Sequence, residues 1–405
     1  MIKKKLLIKN TIQKEYLDKS LSAKLSNNFK KIFKDIIKDI ENKNNTLNIL
    51  NKNFKFNLKI NDLNKFKSFT NIAIIGMGGS ILGAKAIYNF LNKKINKKLF
   101  FFDDLDSEKI KNFKKKENFN KTIFLIISKS GNTIETLTNI FSLGIIKRKS
   151  KNIILISEKK NNTLFLMSKK FDLMYIEHKS FIGGRYSVLS EVGIIPAYLM
   201  GVNIIRLRHK LTQFIANKEN LILKDSTVKL ANLLYKKKYS NLILLNYVPE
   251  LEHVLYWCQQ LIAESLGKKD KGFLPVVSNA PKDHHSLLQL YLDGPKDKIF
   301  NIFSLDEKNK EILNTKKISK KINFLHKKSI NEIKTSQKNA LIKALKKNKI
   351  PFREFKIKNI DEETLAQIFS YFILETVIIG KLIKINPFDQ PSVEQVKIYT
   401  KKFLN

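Results

Sequence analysis

Three hydroxyl side chains, Ser128, Ser130 and Thr133, stand in the run Ser128-Lys129-Ser130-Gly131-Asn132-Thr133. The run follows the apolar stretch Ile123 to Ile127, which suits a strand buried on both faces. After it the pattern turns helical, with Ile134, Leu137 and Phe141 at spacings of three and four. This predicts a strand, a tight loop and a helix N-terminus. Such a loop aims free backbone N–H groups and the positive end of a helix at one spot. The hydroxyls add donors and Lys129 adds charge, a combination suited to a phosphate. A single hydroxyl here would be an ordinary helix cap. Three of them around a Gly-Asn turn favour the phosphate.

A second unit of the same kind lies upstream. Asn71 to Ile75 runs into Gly76-Met77-Gly78-Gly79-Ser80, and a helical pattern follows. Gly78 and Gly79 let the backbone approach a ligand closely. The spacing is not the Gly-x-Gly-x-x-Gly of dinucleotide sites, and no acidic residue follows at the distance those sites need. A nucleotide cofactor is therefore not expected.

Further candidates for chemistry are scattered along the chain. Gln260 and Glu264 are four apart on one predicted helix and share a face. A carboxylate among apolar neighbours such as Trp257, Leu261 and Ile262 can act as a general base, although a surface glutamate has the same local signature. In Gly183-Gly184-Arg185-Tyr186-Ser187, a guanidinium follows a flexible glycine pair. It can meet an oxyanion or pair with a carboxylate. His284 and His285 open a helix, and neither has a second histidine four residues on or a cysteine beside it, so acid–base work is favoured over metal. Lys397 lies seven residues after Gln390 on the last predicted helix. In a lysine-rich chain its position alone says little.

These residues need a scaffold, and the pattern supplies one. Strand candidates are Asn71 to Ile75, Leu99 to Phe102, Ile123 to Ile127, Ile153 to Ile156 and Met174 to Ile176, with helices between them. Alternation of this kind implies a parallel sheet flanked by helices, with ligands at the carboxyl ends of its strands. The second half repeats the plan: strands at Asn241 to Tyr247, Lys298 to Leu305 and Phe352 to Ile357, helices at Glu250 to Gly267, Ser336 to Asn348 and Leu365 to Leu382. The expected layout is a helical lead-in over 1–50, α/β domains over 51–205 and 206–385, and a helical tail over 386–405. Asp306 to Lys334, rich in Lys and Asn, reads as an exposed excursion.

The chain has 405 residues, 43% of them hydrophobic, which is a globular composition. Its 76 Lys and Arg against 36 Asp and Glu give a net charge of +40. The lysines are dispersed, and the longest runs, such as Lys3 to Lys5 and Lys236 to Lys238, are short. This reads as solvated surface that helps attract an anionic substrate, not as a nucleic-acid footprint. Cys258 is the sole cysteine, which fits a reducing compartment. No signal peptide or uninterrupted apolar span is evident, and Gln367 and Glu375 interrupt the most apolar helix. A cytoplasmic protein without membrane partners is expected.

Taken in order, the motifs resemble those of the glucose-6-phosphate isomerase family. They are Gly76 to Ser80, Ser128 to Thr136, Gly183 to Ser187, Gln260 to Gly267 (QLIAESLG), His285 to Leu290 (HSLLQL) and Pro387 to Lys397 (PFDQPSVEQVK). The Ser-Lys-Ser loop alone would indicate only a sugar-isomerase (SIS) domain. Ser-Gly-Asn-Thr, where longer members have Thr-Phe-Thr-Thr, resembles the compact bacterial form. The resemblance implies two SIS-type domains, each a mainly parallel sheet flanked by helices, and a reaction that interconverts glucose 6-phosphate and fructose 6-phosphate without metal or cofactor.

It also implies residue roles. Gly79, Ser80, Ser128, Lys129, Ser130 and Thr133 resemble the phosphate cradle. Glu264 resembles the base that moves a proton between C2 and C1. Arg185, with Gly184, resembles the group that steadies the enediolate. His285 and Lys397 resemble the ring-opening pair, and Gln260 and Gln390 the substrate-positioning glutamines. A homodimer with shared active sites is implied as well. Action on mannose 6-phosphate too stays open. So does a non-catalytic sugar-phosphate regulator, though that class should lack Glu264, His285 and Lys397 as a set.

Overall fold

The computed structural model describes residues 5–216, 219–306, 311–315 and 320–404. Lys3 and Lys4 of the first charge run, and residues 307–310 and 316–319 of the expected excursion, lie outside them.

Two five-stranded sheets form the body. The first contains β2 (Asn71–Ile75), β3 (Lys98–Phe102), β4 (Thr122–Ile127), β5 (Ile153–Ser157) and β6 (Met174–Glu177). Its order is β3-β2-β4-β5-β6, parallel throughout. Every residue of β2, β4 and β5 is buried, as their unbroken apolar runs require for strands covered on both faces. The second sheet contains β7 (Asn241–Asn246), β8 (Leu274–Asn279), β9 (Lys298–Leu305), β10 (Phe352–Ile357) and β1 (Leu6–Asn10), in the order β1-β10-β9-β7-β8. Only β1 runs antiparallel to its neighbour. The two mainly parallel sheets flanked by helices match the expected architecture.

Three elements depart from the sequence reading. The lead-in is not helical throughout: β1 joins the second sheet, with Leu6 opposite Ile357. Its helix, Lys19–Glu41, buries Leu25, Phe29, Ile36 and Ile40. β8 is absent from the sequence reading, because Pro275 interrupts its apolar run. It is an edge strand, where a missing N–H is tolerated. The helix expected from Ser336 starts at Ile330, inside the expected excursion. There Ser329 and Glu332 form a reciprocal capping box.

One continuous apolar core spans both halves, with a smaller cluster beside each sheet. Glu362–Leu382 is the one described helix long and apolar enough to cross a membrane, yet 94% of its apolar window is buried inside this fold. Its Glu375 takes a bidentate pair of bonds from the fully buried Arg353 of β10, and a third from Tyr371. The helix is thus a core element whose mid-helix carboxylate, Glu375, is compensated.

Candidate active site

β2 and β4 are neighbours with Ile75 opposite Ile126, so the two glycine/hydroxyl loops leave the sheet side by side. A Cβ built on Gly76 would come within 2.7 Å of the Ile127 carbonyl, so that position has no room for a side chain. This is the edge where strand order reverses, the usual ligand position in such sheets.

The second loop is shaped by its own hydroxyls. Ser128 Oγ lies 2.8 Å from Thr133 Oγ1, and Ser130 Oγ lies 3.5 Å from the same atom. Gly131 takes the left-handed conformation at φ +67°. Thr133 sits at the N-cap of Ile134–Leu143 without a capping side-chain bond, so the first-turn N–H groups have no hydroxyl partner there. Three converging hydroxyls and a helix start can hold a dianion. Ser80, on the first loop, is buried next to Gly79.

Lys129 points elsewhere. Its Nζ donates to the Ser180 carbonyl at 2.9 Å and lies 3.5 Å from Glu158, which also pairs with Lys160 at 2.5 Å. Burial pushes the Lys129 amine down, with Glu158 opposing. Behind it His178 is pushed down to about 4 by burial and is neutral at physiological pH.

The first loop also touches the Arg185 turn. A Cβ on Gly79 would lie 2.2 Å from the Gly184 carbonyl carbon and 2.6 Å from Arg185 N, so only glycine fits there. Gly78, at φ +52°, faces Gln260 in the same way. Arg185 is 1% exposed and divides its donors among several partners. Nη1 reaches Glu264 Oε2 at 3.2 Å and Gln390 Oε1 at 2.5 Å. Nη2 reaches the carbonyls of Pro387 and Asp389 at 2.7 and 3.0 Å. Glu264 keeps 30% of its side chain exposed, and its other oxygen accepts from Gln260 Nε2 at 2.8 Å.

The structure therefore gathers Gly79, Gly184, Arg185, Gln260, Glu264 and Gln390 into one cluster beside the hydroxyl loop. It does not bring His285 or Lys397 into it. His285 is exposed on a short turn of helix after β8, while the neighbouring His284 Nε2 lies 2.9 Å from Tyr247 Oη. Lys397 pairs with Glu394 at 2.6 Å on Val393–Leu404, a helix with no buried residue. Tyr186 and Ser265, given no role by sequence reasoning, touch Arg185 or its partners. Their place inside the Gly-Gly-Arg-Tyr-Ser and Glu-Ser motifs was the available signal.

Among known proteins, the pattern of the family described as phosphoglucose isomerase matches residues 33–405. The glucose-6-phosphate isomerase of Methanocaldococcus jannaschii is 32% identical over 354 residues, 83% of this chain and 85% of that one. That of Campylobacter jejuni is 30% identical over 378 residues, 89% and 90% of the two chains. In fold, the chain is similar to a hypothetical protein of Thermus thermophilus, with a TM-score of 0.84, 21% identity and coverage of 98% and 99%. It is also similar to a glucose-6-phosphate isomerase of Chlamydia trachomatis, with a TM-score of 0.70, 17% identity and coverage of 85% and 72%. With the motifs, the site cluster and a match over nearly the whole length in agreement, the chain belongs to the phosphoglucose isomerase family.

Proposed function

We propose that this chain interconverts glucose 6-phosphate and fructose 6-phosphate by ring opening and proton transfer between C2 and C1 through a cis-enediol. The observation that carries the mechanism is the Arg185–Glu264 pair, 3.2 Å apart beside the hydroxyl loop. The phosphate sits on Ser80, Ser128, Ser130 and Thr133 and supplies binding energy remote from the reacting carbons. Glu264 takes the proton from the carbon next to the carbonyl. As it does so the carboxylate loses its charge and the enediolate gains one, so the guanidinium changes partner without moving far. Gln260 and Gln390, already bonded to Glu264 and Arg185, orient the hydroxyls. The proton leaves a carbon acidified by its neighbouring carbonyl, so the step needs no metal or cofactor.

Ring opening falls to His285 and Lys397. His285 is exposed and has no hydrogen bond or ion pair to the Arg185–Glu264 cluster of its own chain among the described residues, which supports a homodimer in which it serves the partner's site. The protein works in glycolysis and gluconeogenesis in the cytoplasm, where its single buried Cys258 stays reduced.

Mixed subunits test both parts. Wild-type protein should turn over glucose 6-phosphate in a coupled dehydrogenase assay, and Glu264→Gln and His285→Ala should each be inactive. After subunit exchange about half the dimers are mixed, and each collects one intact site, so roughly a quarter of wild-type activity returns. Demonstrated exchange with no recovery places His285 in its own chain's site. An inactive wild type sinks the isomerase reading.

A further inference from the structure

The polar groups behind Arg185 close into a ring. Arg185 Nε donates to Ser265 Oγ at 2.8 Å, and Ser265 Oγ lies 2.9 Å from Tyr186 Oη. Tyr186 Oη donates to the Pro387 carbonyl at 2.8 Å, and that carbonyl also accepts from Arg185 Nη2 at 2.7 Å. A phenol has one proton to give. With it committed to Pro387, the Ser265 hydroxyl must donate to Tyr186 Oη while accepting from Arg185. Every proton in the ring then has one direction.

The ring is dry: Arg185 is 1% exposed, and Tyr186 and Ser265 are 0% exposed. Burial holds the Tyr186 phenol above its ordinary value, so it keeps its proton. In such surroundings aligned hydrogen bonds reinforce one another. The ring grips the guanidinium by its Nε and Nη2 side and leaves Nη1 as the side that meets Glu264 and Gln390. Glu264 and Ser265 are adjacent on the Glu252–Leu266 helix, so the base and the anchor of its cation move as one piece. The Tyr186 ring packs on Phe388 at 5.5 Å between centroids, which ties the same ring of bonds to the turn that carries Gln390.

We propose that Tyr186 and Ser265 are positioning residues that fix the Arg185 guanidinium, and with it the Pro387–Gln390 turn, in the orientation that meets the enediolate. The proposal rests on the isomerase reading above. It adds to the site two uncharged residues that never touch the sugar.

Ser265→Ala leaves Arg185 in place with a buried Nε–H lacking its acceptor. We expect kcat to fall about 10–100-fold, the worth of one hydrogen bond to a charged group, with KM for fructose 6-phosphate changed less than about twofold. Arabinonate 5-phosphate, whose carboxylate mimics the enediolate charge, should bind more weakly by the same factor as kcat. Glucitol 6-phosphate, which has the phosphate and no such charge, should bind as before. Tyr186→Phe keeps the ring against Phe388 and removes only the hydroxyl, so its effects should lie between wild type and Ser265→Ala. A purely structural role would lower the unfolding temperature without separating the two inhibitors. Equal weakening of both inhibitors overturns the proposal, as does an unchanged kcat in both variants. Should Ser265→Ala not fold, Tyr186→Phe decides on the same inhibitor pair. Wild-type protein without isomerase activity would remove the functional reading and this proposal together. An active wild type with unaffected variants removes this proposal alone.

Discussion

The two sheets share a layout and differ in the loops that leave them. In each, the first strand lies between the second and third: β3-β2-β4-β5 in one half, β8-β7-β9-β10 in the other. At the β2/β4 edge the chain leaves as Gly76 to Ser80 and Ser128 to Thr133. At the β7/β9 edge it leaves as Asn246-Tyr247-Val248 and Leu305-Asp306, without a glycine, and Asn246 Oδ1 there caps Val248 N at 2.9 Å. The first half thus presents glycines and hydroxyls at its edge, and the second an asparagine that caps its own turn. What the second half contributes is the helix after its first strand. That helix lies against the corresponding helix of the first half, Leu82–Leu91, in the opposite direction. Gly78 faces Gln260 near one end, and Lys93 pairs with Glu250 at 3.1 Å near the other. The shared topology dictates where a site can be, and the residues carried there differ between the halves.

If that difference holds, damage to the halves should have different signatures. The largest effect belongs to the second half. Glu264→Gln should cut turnover by roughly 10²–10⁴-fold, the range for loss of a general base, while 6-phosphogluconate still binds. Near wild-type turnover would remove Glu264 from the reaction. Next comes the first half. Ser128→Ala with Thr133→Ala should weaken 6-phosphogluconate about 10–100-fold, since bonds to a charged group are strong, with little change in thermal unfolding. Unchanged binding by calorimetry would put the phosphate elsewhere.

The smallest effect lies where N-terminal strand, first half and second half meet. Lys5 Nζ pairs with Asp361 at 2.6 Å and Glu363 at 2.9 Å, and Lys94 with Glu362 at 2.9 Å. Burial would raise the Asp361 carboxyl, but the Lys5 and Thr364 bonds outweigh it and bring it down. The Lys5 bond brings Glu363 down as well. Carboxylates lowered by folding contribute stability above their unfolded range and lose it as pH falls through the folded values. Lys5→Ala should therefore cost about 1 kcal/mol or less near neutrality, and the gap should be smaller at an acid pH below the ordinary carboxylate range. A gap in melting temperature that is the same at both pH values would show that these pairs do not respond to protonation.

The sequence was most readable where burial on both faces leaves an apolar run, as in β2, β4 and β5. It was least readable at the edges. β1 is a short apolar run among lysines, and β8 contains Pro275. Either makes sense only once its place at the side of a sheet is known. The Ile330–Lys347 helix hid its start because Lys and Asn around the Ser329–Glu332 box look like loop. In the site, charged and glycine positions were visible from residue type and spacing, and Arg185, Glu264, Gln260 and Gln390 meet in the fold. Tyr186 and Ser265 carried no signal beyond their place inside two motifs, since an uncharged side chain shows no purpose until a distant segment closes on it. His285 and Lys397 stand at the surface of the chain, outside the Arg185–Glu264 cluster.

The pairing of β1 with β10 also sets a timetable. Leu6 to Asn10 leaves the ribosome long before Arg353 to Ile357, the residues it must pair with, have been made. The first sheet has no such wait, because β2 to β6 all lie within one continuous stretch and can assemble as they emerge. The second sheet can take β1 in only once β10 has been made, near the end of translation. Until then β1 is a hydrophobic segment without its partner, and lysines beside it disfavour pairing with another chain.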